Sequence, residues 1–266
     1  MCQRTFEPYD GVINGLPLEL DAIKSHEDRV FADGTRDRER VAQRPWQTFS
    51  GRQEVRRFDE ELSPLLTQGP WLELGGETCF ASAIWKSLHP NEWAVASDVS
   101  PNSLRFAAQP LSQWFPHAPD AFIAMDAENI PFADATFGSI FALTMMHHLP
   151  HPEQMLTEVH RVLRPGGTFV AVDHCVPRHF RPLFAKIAHE RAMQYGIQEA
   201  LFSYADWKRI LIHSPIPLSA LQIYTNPRYQ SNPYFALLGK VIDALPKMAA
   251  RLCFPVGALI VYDKPE

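Results

Sequence analysis

A doubly wound α/β fold is what this sequence predicts, and three observations predict it. From Gly69 onward, short apolar runs rich in Val, Ile and Phe alternate with helix-patterned stretches, a spacing that favours a parallel sheet wrapped by helices. Each run ends in a polar or glycine-containing turn. Two of the intervening stretches carry explicit helix starts, and one of them an explicit stop.

The strands fall at Trp71–Leu74, Trp93–Ser97, Ala121–Met125, Ser139–Leu143 and Thr168–Val172. The first passes through Gly75 and Gly76 into an apolar helix, Phe80–Leu88. Ser100-Pro101 puts an N-cap residue before a proline at the first helical position, and Leu104, Ala107, Ala108 and Leu111 then recur at helical spacing. A third helix opens at Pro152-Glu153, carries Met155, Leu156, Val159 and Val162 on one face, and stops at Pro165-Gly166-Gly167. Beyond the fifth strand, Phe180–Tyr195 and Ser203–Leu211 read as helices, the latter with Trp207 on its apolar side. Leu218–Tyr224 and Gly257–Tyr262 read as strands. Between them, Tyr234–Leu245 sets Phe235, Leu238, Val241, Ile242 and Leu245 on one helical face, with Lys240 and Asp243 on the other.

At 266 residues, 46% hydrophobic and 21% charged, the chain suits one domain with appended helices. Residues 1–68 are mixed in charge and helix-leaning, with Trp46 and Phe49 among them, and are expected to form an N-terminal helical cap. Residues 69–266 are expected to be the ligand-binding domain, its C-terminal helices covering a substrate. A formal charge of -5 and a pI near 6.1 give no electrostatic reason to expect a nucleic-acid partner, since phosphate binding rests on clustered Lys and Arg. Arg52, Arg56 and Arg57 sit among acids and read as a solvated helix face. Cys2, Cys79, Cys175 and Cys253 form neither a CxxC pair nor a regular framework, which argues against a zinc module or a disulfide scaffold and for a reducing, cytoplasmic setting. The N-terminus lacks the apolar stretch of a signal peptide. No stretch of about 18 uninterrupted apolar residues is available to span a membrane. Peripheral membrane contact through an apolar helical stripe stays open.

Ligands of open parallel sheets bind at the carboxyl ends of the strands, where strand order reverses, so the polar residues there are the candidates. The first strand ends Glu73-Leu74-Gly75-Gly76-Glu77-Thr78-Cys79. Its glycines let the main chain approach a ligand, and the following helix N-terminus offers N–H groups to an anionic group. The second ends at Asp98, twenty-five residues after Glu73, where an acid can bond the two hydroxyls of a ribose. The third continues as Met125-Asp126-Ala127-Glu128-Asn129-Ile130-Pro131-Phe132 and the fourth as Thr144-Met145-Met146-His147-His148-Leu149-Pro150, while Arg161-Val162-Leu163-Arg164-Pro165-Gly166-Gly167 leads the fifth.

In order and spacing these segments resemble the class I S-adenosylmethionine-dependent methyltransferases, particularly the small-molecule branch that includes the ubiquinone and menaquinone C-methyltransferases. The resemblance covers residues 69–175 and is most specific from Asp126 to Gly167. It implies a Rossmann-like sheet with an antiparallel last strand, S-adenosyl-L-methionine as cofactor, and a small-molecule acceptor, with hydrophobic acceptors among the options. It also implies roles: Glu73, Gly75 and Gly76 hold the methionine portion, Asp98 the ribose, and Val99 lies beside the adenine. Asp126 and the Ala127 main chain meet the adenine amino group, and Thr144 lies where the fourth strand meets the cofactor.

The family usually follows its acid with glycines at alternate positions, whereas Glu77 and Cys79 stand at the second and third of these. A Glu77 carboxylate either repels the cofactor carboxylate or attracts its ammonium or sulfonium. The departure motivates two other readings, a regulatory protein that keeps the fold and an enzyme using the cofactor for other chemistry. A nicotinamide dehydrogenase fits worse, because its pattern demands glycine where Glu77 and Phe80 stand.

His147, His148, His151, His160 and His174 crowd this half of the chain, and imidazole serves as general base or metal ligand. His148 either anchors the Met-His-His-Leu-Pro turn or acts on the acceptor. His174, after Asp173 at the end of the fifth strand, points to the substrate side. These two are the catalytic candidates, His160 reads as a surface residue, and no metal site is expected.

Overall fold

The computed structural model describes residues 8–9, 11–16, 55–66, 68–182, 185–186, 189, 200–224 and 256–266. Its strands are β1 (Pro8–Tyr9), β2 (Val12–Asn14), β3 (Trp71–Leu74), β4 (Ala94–Asp98), β5 (Ala121–Ala124), β6 (Phe137–Leu143), β7 (Leu163–Cys175), β8 (Leu221–Tyr224) and β9 (Val256–Asp263). They form one sheet in the order β1-β2-β5-β4-β3-β6-β7-β9-β8. The run from β2 to β7 is parallel, while β1 against β2, β9 against β7 and β8 against β9 are antiparallel. The chain steps outward from β3 through β4 to β5 and then crosses back to β6. Strand order therefore reverses between β3 and β6, the place where such sheets bind ligands.

Side chains alternate across the sheet, and each face collects its own helices. Helices α1 (Phe80–Leu88) and α2 (Pro101–Trp114) cover one face, and α3 (Pro152–Val162) and α4 (Tyr204–Ile212) the other. On the α1 side Trp71, Phe141 and Val170 meet Phe58 and Trp85. On the α3 side Leu72, Ile140 and Phe169 meet Val159 and Trp207. Trp71 and Trp85 stack at 5.0 Å between centroids. Their indole N–H groups donate to Ser82 Oγ at 3.1 Å and Leu66 O at 2.6 Å, so both rings bury apolar area without orphaning a donor. Full burial of a large apolar side chain contributes about 1.5–3 kcal/mol, so this aromatic layer is a substantial part of the core.

The expected caps are present. Ser100 Oγ accepts Ser103 N–H at 3.0 Å ahead of Pro101, and Ser203 and Asp206 form a reciprocal capping box at α4. Arg161 on α3 donates to Glu158, Asp134 and the carbonyls of Ile130 and Phe132. It thereby fixes the segment that follows Asp126 against the helix preceding β7.

Beyond shifts of one or two residues at strand ends, the structure departs from the sequence-based reading chiefly in three places. Val12–Asn14, inside the segment read as a helical cap, is instead a strand beside β5. Its neighbour's edge offers unpaired main-chain groups, and β-branched Val12 and Ile13 suit a pleated surface. Within 218–224, Leu218–Ala220 form a 3-10 turn after Pro217 and the strand is confined to Leu221–Tyr224. Strand β7 runs from Leu163 through the Pro165-Gly166-Gly167 stop, because Phe137 pairs with Leu163 and Lys264 exchanges main-chain hydrogen bonds with Gly166 and Gly167. Trp46, Phe49 and Tyr234–Leu245 lie outside the described residues, as does most of 180–195. Among the described residues no helix is long and apolar enough to cross a membrane.

Candidate active site

The loop between β3 and α1 repeats one backbone feature at alternate positions: φ is +63° at Gly75, +44° at Glu77 and +53° at Cys79. This left-handed conformation is cheap for glycine and costs other residues roughly 1–2 kcal/mol. The chain therefore keeps the turn geometry that three glycines would adopt, using glycine only at the first. A Cβ on Gly75 would lie 2.7 Å from Met145 Cβ, so the loop packs directly against the segment that follows β6.

Cys79 stands at the N-cap of α1 and supplies no side-chain cap. Glu73 does this instead: its Oε2 accepts Ser82 N–H at 2.9 Å and the Ser82 hydroxyl. The third amide of α1 is thus satisfied from within the protein rather than offered to a ligand. Glu73 is 2% exposed, and burial, reinforced by the charge of Asp98 and opposed by the Ser82 hydrogen bonds, raises its pKa to about 7. Burial also pushes the Cys79 thiol well up, with Glu73, Asp98 and Glu77 adding to the effect, so it remains a thiol at neutral pH.

Asp98 ends β4 and ties two turns together. Oδ2 accepts Glu77 N–H and Oδ1 accepts Ser100 N–H, each at 2.9 Å. The Asp98 carbonyl accepts Met125 N–H at 2.9 Å, which brings the end of β5 alongside. There Asp126 is buried, its Oδ1 accepting Glu128 N–H at 2.9 Å, with buried Ala127 beside it and half-buried Val99 after Asp98. Thr144 closes β6 at φ +48°, its N–H donating to Val172 O at 2.7 Å.

A polar cluster follows on the β6–β7 side. His147 and His148 lie in the 3-10 turn Met146–His148, and Asp173 and His174 near the end of β7. Asp173, 2% exposed, accepts His147 N–H at 3.1 Å on Oδ2, and on Oδ1 bonds His147 Nδ1 at 2.8 Å and accepts His174 N–H at 2.6 Å. Burial alone would raise its pKa, but the charge and hydrogen bond of His147, with those of His174, hold it down at about 2. The His147 ring is 4.0 Å from His148 and 5.0 Å from His174, centroid to centroid. His147, Asp173 and His174 also offer ligand atoms within 4.8 Å of one another.

Residues 72–171 match the family model described as a methyltransferase domain. That stretch is similar to a methyltransferase domain. The chain resembles, at 25% identity over 154 residues, a ubiquinone/menaquinone biosynthesis C-methyltransferase of Pseudomonas fluorescens, covering 53% of this chain and 60% of that one. The chain spans under two thirds of the length of the curated relatives it matches. In fold, the chain resembles a geranyl diphosphate methyltransferase solved with geranyl diphosphate and sinefungin, with TM-score 0.64, 13% identity, and 92% and 100% of the two chains covered. It also resembles the [4+2]-cyclase SpnF, with TM-score 0.56, 16% identity, and 83% and 86% covered. Fold alone therefore does not fix the chemistry.

The fold brings Glu73, Gly75, Gly76, Asp98, Val99, Asp126 and Ala127 to the carboxyl ends of three adjacent strands, β3, β4 and β5. Thr144 lies across the switch point on β6. His148 and His174 enter one cluster, but its centre is the pair His147 and Asp173, which sequence reasoning passed over. The available signal was Asp173 directly before His174 at a strand end, together with the doubled histidine. His160 instead pairs through Nδ1 with Tyr262 Oη at 2.9 Å, a partner 102 residues away that no helical pattern reveals.

Proposed function

We propose that this chain transfers the methyl group of S-adenosylmethionine to a small organic molecule. The observation that supports it most is the set of groups at the ends of β3, β4 and β5: a loop with three left-handed turns, then Asp98, then Asp126. Such a loop brings main-chain atoms close to a ligand, and the acids suit a ribose and an adenine amino group. The residues fit the cofactor in this reading. Gly75, Gly76 and Glu73 border its methionine portion, Asp98 its ribose, Val99, Asp126 and Ala127 its adenine, and Thr144 the approach from β6.

S-adenosylmethionine supplies an already activated sulfonium methyl, so the protein's part is positioning and exclusion of water. His148 and His174 border the acceptor side in this reading. Quinones, sterols, fatty acids and geranyl diphosphate are named for similar proteins, which makes an apolar small molecule the acceptor class to screen first. Glu77 and Cys79 favour one competing reading, a fold that no longer binds the cofactor productively. Calorimetric titration of the full chain with S-adenosylmethionine decides: micromolar binding supports transfer, and no binding to well-folded protein overturns it. Detection of S-adenosylhomocysteine then separates methyl transfer from other use of the cofactor.

A further inference from the structure

Resting on that reading, we infer that Arg57 binds an anionic end of the acceptor, a carboxylate or a phosphate group, and that the acceptor's apolar body lies along the sheet between this residue and the cofactor. The sequence reads Arg56 and Arg57 as one solvated face, but their surroundings differ. The Arg56 side chain is 66% exposed and pairs with Glu60 one turn on, an ordinary surface pair. The Arg57 side chain is 12% exposed, and its guanidinium carbon lies 3.8 Å from the centroid of the Tyr224 ring. Its Nε donates to exposed Glu61 at 3.2 Å, and among the described residues no acceptor meets either Nη group. A guanidinium drawn out of water is costly unless its donors are filled. Two Nη groups side by side present a fork that fits the oxygens of a carboxylate or phosphate.

Position ties this cation to the site. Arg57 stands at the N-cap of the turn Phe58–Leu62, and buried Phe58 packs at 4.8 Å on Phe141 of β6, so the residue is fixed against the sheet. Tyr224 ends β8, and its ring lies over β9, where a Cβ on Gly257 would collide with it. Gly257 is the register partner of both Tyr224 and His174, which sets the Arg57–Tyr224 pair level with the carboxyl end of β7. From β9 to β6, where Leu143 and Thr144 close the strand, is two strand spacings, about 10 Å. Leu143, Val172 and Leu259 are register partners across that interval and belong to the same apolar cluster as Phe58 and Tyr224. An apolar row therefore joins the switch point to a cation. An acceptor that fills it carries its charge at one end and reacts at the other, so its anion is not the atom methylated. Glu61 is the carboxylate nearest the guanidinium; its side chain is 64% exposed, and it holds only the Nε edge.

The test is calorimetric titration of the full chain with decanoate, decyl phosphate and decan-1-ol, with and without saturating S-adenosylhomocysteine. At least one acid is expected to bind about tenfold or more tightly than the alcohol, and the tighter of the two identifies the head group. Arg57→Gln is expected to abolish that preference while the affinities for decan-1-ol and S-adenosylhomocysteine stay within about twofold, a split that a merely structural role would not produce. Arg57→Lys keeps a cation over the Tyr224 ring but loses the fork, and is expected to weaken the preferred acid about threefold or more. Equal affinity for the three probes in the parent overturns the inference, as does a preference for acid that survives Arg57→Gln. Should Arg57→Gln fail to fold, Arg57→Lys binding the acids as the parent does overturns it instead. Absence of S-adenosylhomocysteine binding with the preference for acid intact overturns the methyl-transfer reading, whereas loss of that preference with S-adenosylhomocysteine bound overturns this inference alone.

Discussion

The carboxylate of Asp98 accepts the main-chain N–H of Glu77 at 2.9 Å, so the residue ending β4 holds the loop that leaves β3. Its other oxygen accepts Ser100 N–H at the start of α2. Asp98→Ala removes both bonds and is expected to destabilise the fold by about 2 kcal/mol, each bond to a charged group contributing about 1.5–3 kcal/mol before relaxation. S-adenosylmethionine affinity should fall at least about tenfold as the loop loses its anchor and the ribose its acid. Denaturant unfolding and calorimetry check the two effects, and an unchanged dissociation constant would reduce Asp98 to a turn residue.

Glu77 pays a conformational penalty at φ +44° that glycine avoids. Glu77→Gly should therefore raise stability by about 0.5–1 kcal/mol, the left-handed strain relieved less the extra chain entropy of glycine. Removing the loop carboxylate should also tighten S-adenosylmethionine binding. A lower Tm would show that the Glu77 side chain contributes more than its backbone costs. Weaker binding would show that it attracts the cofactor's positive charge.

Glu73 links stability to pH near neutrality. Its pKa rises on folding from an ordinary value of 4.5 to about 7, so the folded protein binds the extra proton between those values. The stabilisation is complete below about pH 4.5 and is lost as pH rises through 7, roughly 3 kcal/mol in all. Glu73→Gln should flatten this slope. Parallel stability curves for parent and variant between pH 5 and 8 would rule Glu73 out as its source.

Asp173 has the opposite sign. Its pKa falls from 3.8 to about 2 on folding, so its contribution is present above pH 4 and disappears as pH drops through 2. The loss is about 2–2.5 kcal/mol. Asp173→Asn should remove the low-pH step measured by far-ultraviolet circular dichroism, leaving other acid transitions in place. A step of equal size in the variant would assign it to other carboxylates.

Periodicity and capping residues fixed most of the scaffold locally. Trp71–Leu74 and Phe80–Leu88 have the bounds their apolar patterns imply, and Ser100 and Ser203 cap the helices they precede. The strand-end acids Asp98 and Asp126 were legible for the same reason, since a strand's end sets where its next side chain lies. Local pattern did not reveal Val12–Asn14, whose strand exists only because β5 offers an edge to pair with.

The sequence by itself determined the alternation of strands and helices, the order of the strand-end residues, and the departure from glycine at Glu77 and Cys79. Tertiary structure alone decided that those two residues adopt the turn conformation glycine would, because Asp98 holds Glu77 N–H and Gly76 O accepts Cys79 N–H. It likewise decided that Glu73 turns inward to cap α1. And it chose His147 among five neighbouring histidines, since only pairing β6 with β7 brings Asp173, 26 residues away, into hydrogen-bond contact with that ring.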